Sequence, residues 1–203
     1  MLCVIRENPK MNKIFDIEID IPKTELEFFL ENAKMENIGK GEYFHSANKT
    51  CKKIGIIKSG LLKSYVIDQN GNEKIIEFYS ENSFVSAFTS FITQEITDWN
   101  IKAIENSEIF IISKEFLNQL YKRNACWTLF GLKIFETQTL KKCSREKSLL
   151  INNASERYQI FREQYKDIEN RLSLNQIALY LGIQPESFSR IRKDFFLNIH
   201  QGN

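Results

Sequence analysis

Residues 173–193 read Ser-Leu-Asn-Gln-Ile-Ala-Leu-Tyr-Leu-Gly-Ile-Gln-Pro-Glu-Ser-Phe-Ser-Arg-Ile-Arg-Lys, and this stretch decides the architecture. Ser173 and Gln176 stand three apart, the spacing of an N-capping box. Ile177, Ala178 and Leu181 then fall on one face of the helix they open, and Ala178 is small where a second helix would cross. Gly182 follows the last apolar residue, where a left-handed residue ends a helix. Ile183 plugs the turn, and Pro185 suits the first position of the next helix because its missing N–H is harmless there. Phe188 and Ile191 face back toward the first helix. The spacing predicts a helix-turn-helix, with a plain αα-hairpin of a helical core as the alternative.

At ~100° per residue, the second helix separates into two sides. Phe188, Ile191 and Phe195 cluster inward, and Glu186, Ser189, Arg190 and Lys193 lie opposite. Such an outward set suits the DNA major groove. An arginine such as Arg190 pairs with guanine O6 and N7 through two hydrogen bonds, and a carboxylate such as Glu186 accepts from cytosine N4. Gln184 and Ser187 stand near the helix start, where a base edge or a phosphate is met, and Arg192 sits on the flank facing phosphate. A solvated helix face is the plain alternative for each charge. The segment 153–203 holds seven Lys/Arg and six Asp/Glu, a small positive excess for a nucleic-acid binder.

Working outward, residues 125–150 contain no proline and read as one long helix. Leu129, Leu132, Phe135, Leu140, Cys143 and Leu150 form its apolar series, an imperfect heptad that suits a partial coiled-coil seam. A helix over about 155–165 follows Asn152-Asn153. Ser113 is placed to cap a helix containing Phe116, Leu117 and Leu120. Between Gly39 and Ser113 the texture is short strands and turns, including Lys53–Ile57, Leu61–Ile67, Lys74–Tyr79, Asn100–Ile104 and Glu108–Ile112. Asn70-Gly71 is a strong hairpin signal. These strands predict an antiparallel barrel or roll. Residues 23–36 read as an amphipathic helix with Thr24 and Glu27 as its capping box.

The 203 residues carry 28 Lys/Arg against 26 Asp/Glu, with 42% hydrophobic residues, an ordinary globular composition that excludes collagen-like and wholly disordered chains. No run of ~20 apolar residues is present, and the N-terminal stretch has no signal-peptide pattern, so a cytoplasmic protein with no membrane partner is expected. Cys3, Cys51, Cys126 and Cys143 are separated by 48, 75 and 17 residues, which fits no common zinc or iron–sulfur spacing. With only His45 and His200, a metal site built on several imidazoles within one chain is excluded. No P-loop, nucleophile elbow or HExxH is present, and the single roll histidine argues against a cupin enzyme. No cofactor is expected.

Gly41-Glu-Tyr-Phe44, Lys58-Ser-Gly-Leu-Leu62, Asp68-Gln-Asn-Gly71 and Leu181–Lys193 occur in this order around a long helix. In that arrangement the chain from about Met11 resembles the Crp/Fnr family of bacterial transcription regulators, and its short Bacteroidetes-like members most. The resemblance implies a cyclic-nucleotide-binding-type roll, a homodimer joined through the long helix, and a winged DNA-binding domain. Members that bind cyclic AMP carry Gly-Glu in a phosphate-binding cassette and an arginine about ten residues on. Here the matching stretch is Ser83–Phe91 running to Asn100. Ala87 stands in the glutamate's place and Thr97 in the arginine's, and Asp98 adds a negative charge. A partly buried anion needs a paired cation or oriented donors, so cyclic AMP and cyclic GMP are not expected to bind. Phe84, Phe88, Phe91 and Trp99 would line an apolar effector pocket instead, or fill the core. Family members with an iron–sulfur cluster bring clustered N-terminal cysteines, and only Cys3 is near the start. Haem would need an axial ligand, for which only His45 is available in the roll.

The expected fold is therefore α+β. An antiparallel β-roll spans 11–124, a dimerisation helix 125–152, and a winged-type helix-turn-helix 153–203 with a short or missing wing. The expected function is a homodimeric, non-enzymatic regulator that reads a roughly palindromic double-stranded DNA operator through the recognition helix 185–193. The alternative is a small-molecule-sensing module whose DNA binding needs an unknown effector. Activation would add RNA polymerase as a partner, for which no contact surface is legible. Whether Met1 or Met11 is the native start is open.

Overall fold

The computed structural model describes residues 20–201, excepting the side chains at 196 and 198–201. Cys3, Met1, Met11 and the His200 side chain lie outside the described residues.

The described chain divides into two compact units. One holds the residues up to Ser64 together with Phe78–Gln138, and the other holds Tyr65–Glu77 and the residues from Thr139 onward. The first unit opens with α1, Lys23–Asn32, and β1, Lys34–Ile38. The helix is thus shorter than the 23–36 read from the sequence. Its start also differs, because Pro22 occupies the N-cap and no side chain caps it. The Pro22 carbonyl accepts from Glu25 and Leu26 N–H, so Thr24 is already inside the helix. Lys34–Glu36 leave the helix because strand pairing wins: β1 runs antiparallel to β10, Ser107–Ser113, from Lys34 opposite Ile111 to Ile38 opposite Ser107. A ladder that orders five residues against a core strand outweighs their weak helix propensity.

The other strands are β2 Tyr43–His45, β3 Lys49–Thr50, β4 Lys53–Ser59, β5 Leu62–Ile67, β6 Glu73–Tyr79, β7 Phe84–Val85, β8 Ile96–Thr97 and β9 Asn100–Ala103. They form sheets of order β1-β10-β4-β7 and β2-β9-β5-β6, with β3 and β8 as a separate pair. Ile54, Ile56 and Ile57 of β4 and Ile109, Ile111 and Ile112 of β10 are buried, joined by Phe44, Phe84, Val85 and Ile101. This is the antiparallel roll expected between Gly39 and Ser113. Gly60 turns β4 into β5 with φ +108, and a Cβ there would stand 2.6 Å from the Ser107 Cα. No other residue fits that turn without moving β10.

Helices close the roll. Short α2, Phe88–Thr93, follows β7. The helix α3, Lys114–Arg123, starts at Ser113, whose hydroxyl accepts from Phe116 N–H as the sequence predicts. Next comes α4, Ala125–Ile151, the long helix. Its first half buries Cys126, Trp127, Phe130 and Ile134 in the roll's core. Trp127 packs edge-on against Phe130 and 5.6 Å from Phe29 of α1. Glu25, 7% exposed, accepts from Trp127 Nε1 at 3.0 Å and from Arg123 Nε at 2.9 Å. A buried carboxylate with two donors pins α1 to α3 and α4, because losing Arg123 would leave a buried charge uncompensated and losing Trp127 would remove a hydrogen bond from it.

His45 is buried on β2, and its Nε2 has no hydrogen-bond partner. Burial and the ammonium groups of Lys49 and Lys53 push its pKa below the usual value near 6.5. The native imidazole stays neutral while the unfolded chain takes up a proton below about pH 6.5, so stability falls as pH drops through that point. His45→Gln removes this loss. Melting curves at pH 7.5 and 5.5 should show a smaller acid shift for the variant, and parallel shifts would refute the assignment.

Candidate DNA-reading surface and effector pocket

The second unit carries the C-terminal helices α5, Ala154–Gln164, α6, Leu174–Leu181, and α7, Pro185–Gln201, with one 3₁₀ turn at Glu169–Arg171. Asn153 caps α5 and forms a capping box with Glu156. An aromatic cluster holds these helices together. Tyr158 meets Phe188 edge-on at 5.0 Å and Phe195 at 5.4 Å, and Phe161 packs against Tyr165 and Tyr180. The Tyr158 hydroxyl donates to Glu169 Oε1 at 2.7 Å, and Arg162 Nε donates to the other carboxylate oxygen at 3.0 Å. Burial first, then the Glu169 hydrogen bond and charge, push the Tyr158 phenol up to about 12.

The helix-turn-helix is built as the sequence reads. Ser173 Oγ accepts from Gln176 N–H at 3.2 Å, and Gln176 Oε1 accepts from Ser173 N–H at 2.8 Å. Gly182 ends α6 with φ +72, and Ile183 N–H donates back to the Ala178 carbonyl. A Cβ on Gly182 would touch nothing, so what favours glycine there is its left-handed backbone angle alone. Ala178, Leu181 and Phe188 are buried. Pro185 is the first residue of α7, and the Gln184 carbonyl accepts its first bond, from Phe188 N–H.

Gln184, just before α7, is exposed, as are Glu186, Ser189, Arg190, Arg192 and Lys193 on it, and Ser187 is half-buried on the flank. Phe188 is buried, and Ile191 and Phe195 are partly so. The division into inner and outer sides is the one helical periodicity gives. The Ser189 hydroxyl donates back to the Pro185 carbonyl at 3.1 Å, so its proton is engaged within the helix. One difference concerns length: α7 continues to Gln201, beyond the 185–193 segment, and no strand follows it among the described residues. Leu197, 48% exposed, extends the outer face by a turn. Its spacing of four from Lys193 and seven from Arg190 was the available signal. Arg162 is engaged by Glu169, and Arg157 donates to the Leu181 and Asn152 carbonyls, which leaves Arg190 and Lys193 as exposed cations on the outer face.

The cassette in the roll is differently furnished. Phe84 and Ala87 are buried, Phe84 lies edge-on to Phe130 at 5.5 Å, and Phe91 belongs to the same core. Phe88 and Trp99 are partly buried against that core. The Ser86 hydroxyl donates to the Lys53 carbonyl at 3.0 Å, and Ser90 Oγ accepts from Cys51 N–H at 2.9 Å. Thr97 is half-buried on β8, where its Oγ1 accepts from Trp99 N–H, and Asp98 is exposed. Over 84–98 the only charged residues are Glu95 and Asp98, both acidic.

Among the described residues, no cluster of His, Cys, Asp and Glu is placed to hold a metal ion, and no helix is long and apolar enough to cross a membrane. Cys51 and Cys126 are buried free thiols, and Cys143 is exposed. Burial raises the Cys126 thiol's pKa.

A roll of this topology, a long helix and a terminal helix-turn-helix define the class of regulators with a cyclic-nucleotide-binding-type domain. Residues 35–124 match the family model for the cyclic nucleotide-binding domain. The regulatory protein HlyX of Actinobacillus pleuropneumoniae is 26% identical over 83% of this chain and 73% of its own length. The anaerobic regulatory protein of Haemophilus influenzae is 27% identical over 76% of this chain and 63% of its own. A crystal structure of a Crp/Fnr-family transcriptional regulator from Eubacterium rectale superposes with a TM-score of 0.66 at 18% identity, covering 94% of this chain and 88% of that one. The chain is thus similar over most of its length to transcription regulators of the Crp/Fnr type, and residues 35–124 match their cyclic nucleotide-binding domain.

Proposed function

We propose that the protein is a homodimeric, sequence-specific DNA-binding regulator, without enzymatic activity, whose two α7 helices read a roughly palindromic operator. The observation that carries this reading is the outer face of α7. Glu186, Ser189, Arg190 and Lys193 stand exposed on a helix whose other side is locked by Phe188. Arg190 reads guanine, Glu186 reads cytosine, Gln184 and Ser187 meet the groove at the helix start, and Arg192 and Lys193 meet phosphates.

The seam is the apolar stripe of α4. Helical spacing puts Leu129, Leu132, Leu140, Cys143 and Leu150 within an arc of about 80°, away from buried Trp127 and Phe130. The four leucines are 57%, 53%, 71% and 78% exposed, a row that is costly to leave in water. Cys143 lies within this arc. In a parallel two-fold pair it faces its own copy, so mild oxidation of a Cys3→Ser variant should give a covalent dimer that Cys143→Ser abolishes. Oxidation that leaves only monomer at micromolar protein would refute the parallel seam.

Cyclic AMP is not the controlling ligand in this reading. Residues 84–98 include no cation, the Lys114 ammonium beside them donates to the Phe91 and Ile92 carbonyls, and the Ser86 and Ser90 hydroxyls are engaged by the protein. Calorimetry with cyclic AMP and cyclic GMP should show no binding at micromolar concentration. A second reading, in which an unknown small effector is required, draws on the partly buried Phe88 and Trp99 beside Ala87 and Thr97. Selection of duplexes from a random library at two salt concentrations, with no ligand added, tests the two readings. An enriched palindrome supports the first. Binding that is sequence-blind and strongly salt-dependent overturns it in favour of the second.

A further inference from the structure

We propose that Arg145 is a positioning residue for DNA reading: it ties α6 to the β5–β6 hairpin and so sets the pose of α7. This inference rests on the DNA-reading function above. One terminal nitrogen of its guanidinium donates to two carbonyls, that of Ile75 on β6 at 3.1 Å and that of Tyr180 on α6 at 2.8 Å. The guanidinium also lies 3.7 Å over the Tyr180 ring. Ile75 and Tyr180 are 2% and 6% exposed, so both carbonyls sit where donors are scarce. The Tyr180 carbonyl is in the last turn of α6, which has no intrahelical donor.

The next carbonyl, Leu181, accepts from Arg157 Nε at 3.1 Å, and Arg157 Nη1 donates to the Asn152 carbonyl just past α4. Two arginines thus hold the negative end of the α6 dipole. From that end the chain passes through Gly182 into α7. The hairpin side is stiff. The Asp68 carboxylate accepts from Asn70 and Asn72 N–H at 2.9 Å, with Lys74 at 3.4 Å from its second oxygen. One turn earlier on α4, Lys141 lies 3.8 Å from Glu77 of β6. The hairpin, the second half of α4 and the start of the turn therefore meet at one side chain. A single nitrogen makes both bonds, and the planar guanidinium is what lets the same side chain stack on the Tyr180 ring, which a lysine ammonium does not reproduce.

The test uses the full chain with Arg145→Ala and Arg145→Lys. Amide hydrogen exchange is followed over 65–77 and 174–184, and affinity is measured for the duplex pool enriched by the wild type and for unselected duplex. In Arg145→Ala, exchange should rise in both segments together while β4 and β10 keep their protection. Affinity for the enriched pool should fall about tenfold, with unselected duplex bound within about twofold of wild type, and Arg145→Lys should recover part of the loss. Exchange that rises in one segment only, or in neither, overturns the proposal, as does an equal loss on both duplexes. If the alanine variant also loses protection in β4 and β10, the lysine variant decides by the same criteria. If the wild type enriches no sequence, the DNA-reading function fails, and the exchange data still decide whether Arg145 couples the two segments.

Discussion

Leu132→Glu with Leu140→Glu is expected to leave a folded chain that no longer dimerises and no longer holds an operator. Both leucines are more than half exposed on α4, so glutamates there disturb little packing within one chain. In the proposed dimer they put four carboxylates into an apolar seam. Each leucine contributes about 1.5–3 kcal/mol when fully buried, and each unpaired charge costs several more. The lost association also removes the gain from engaging two half-sites at once, on the order of 10²–10⁴ in affinity. Sedimentation at micromolar protein should show monomer with unchanged circular dichroism. A dimer that persists would mean the seam lies elsewhere.

Arg190→Ala is expected to erase the preference for one base pair in each half-site while leaving the fold intact. Arg190 is exposed, and α7 is held instead by buried Phe188 and by Phe195 against Tyr158. A two-point arginine–guanine contact discriminates by about 1–3 kcal/mol, so two half-sites give about 2–6 kcal/mol, a factor on the order of 10²–10⁴. Lys193→Ala should act differently. Loss of a phosphate contact weakens binding to all sequences and lowers the salt slope by about one unit per half-site. If Arg190→Ala behaves like Lys193→Ala, then Arg190 touches the backbone and the orientation assigned to α7 is wrong.

The helix-turn-helix was legible because each step is local. Ser173 and Gln176 cap within three residues, Gly182 answers to its own φ, and Phe188 and Arg190 are sorted by helical period alone. The roll was legible as strands and turns, with Asn70-Gly71 and Ser113 marking ends the structure keeps. What the sequence hid was long-range. Lys34–Glu36 join β1 only because β10, some seventy residues later, offers a ladder. Pro22 displaced Thr24 from the cap because the chain enters α1 from a buried Ile21. Glu25 looks like a surface residue of an amphipathic helix, yet it is buried to meet Arg123 and Trp127, about a hundred residues away. Arg145 belongs to a run of charges on α4, and nothing local distinguishes it from Lys142 or Lys147. The apolar side chains of the cassette could be read either as pocket or as core, and the structure sets Phe84 and Phe91 in the core.

Methylation-interference footprinting of the full-length protein on its enriched duplex tests the account most directly, because a methyl group on guanine N7 blocks the major-groove edge that Arg190 is assigned to read. Interference is expected at guanines in two symmetric positions, centred one helical turn or about 34 Å apart. Interference confined to a single position, or absent from the major groove on a duplex the protein nonetheless binds, would contradict it.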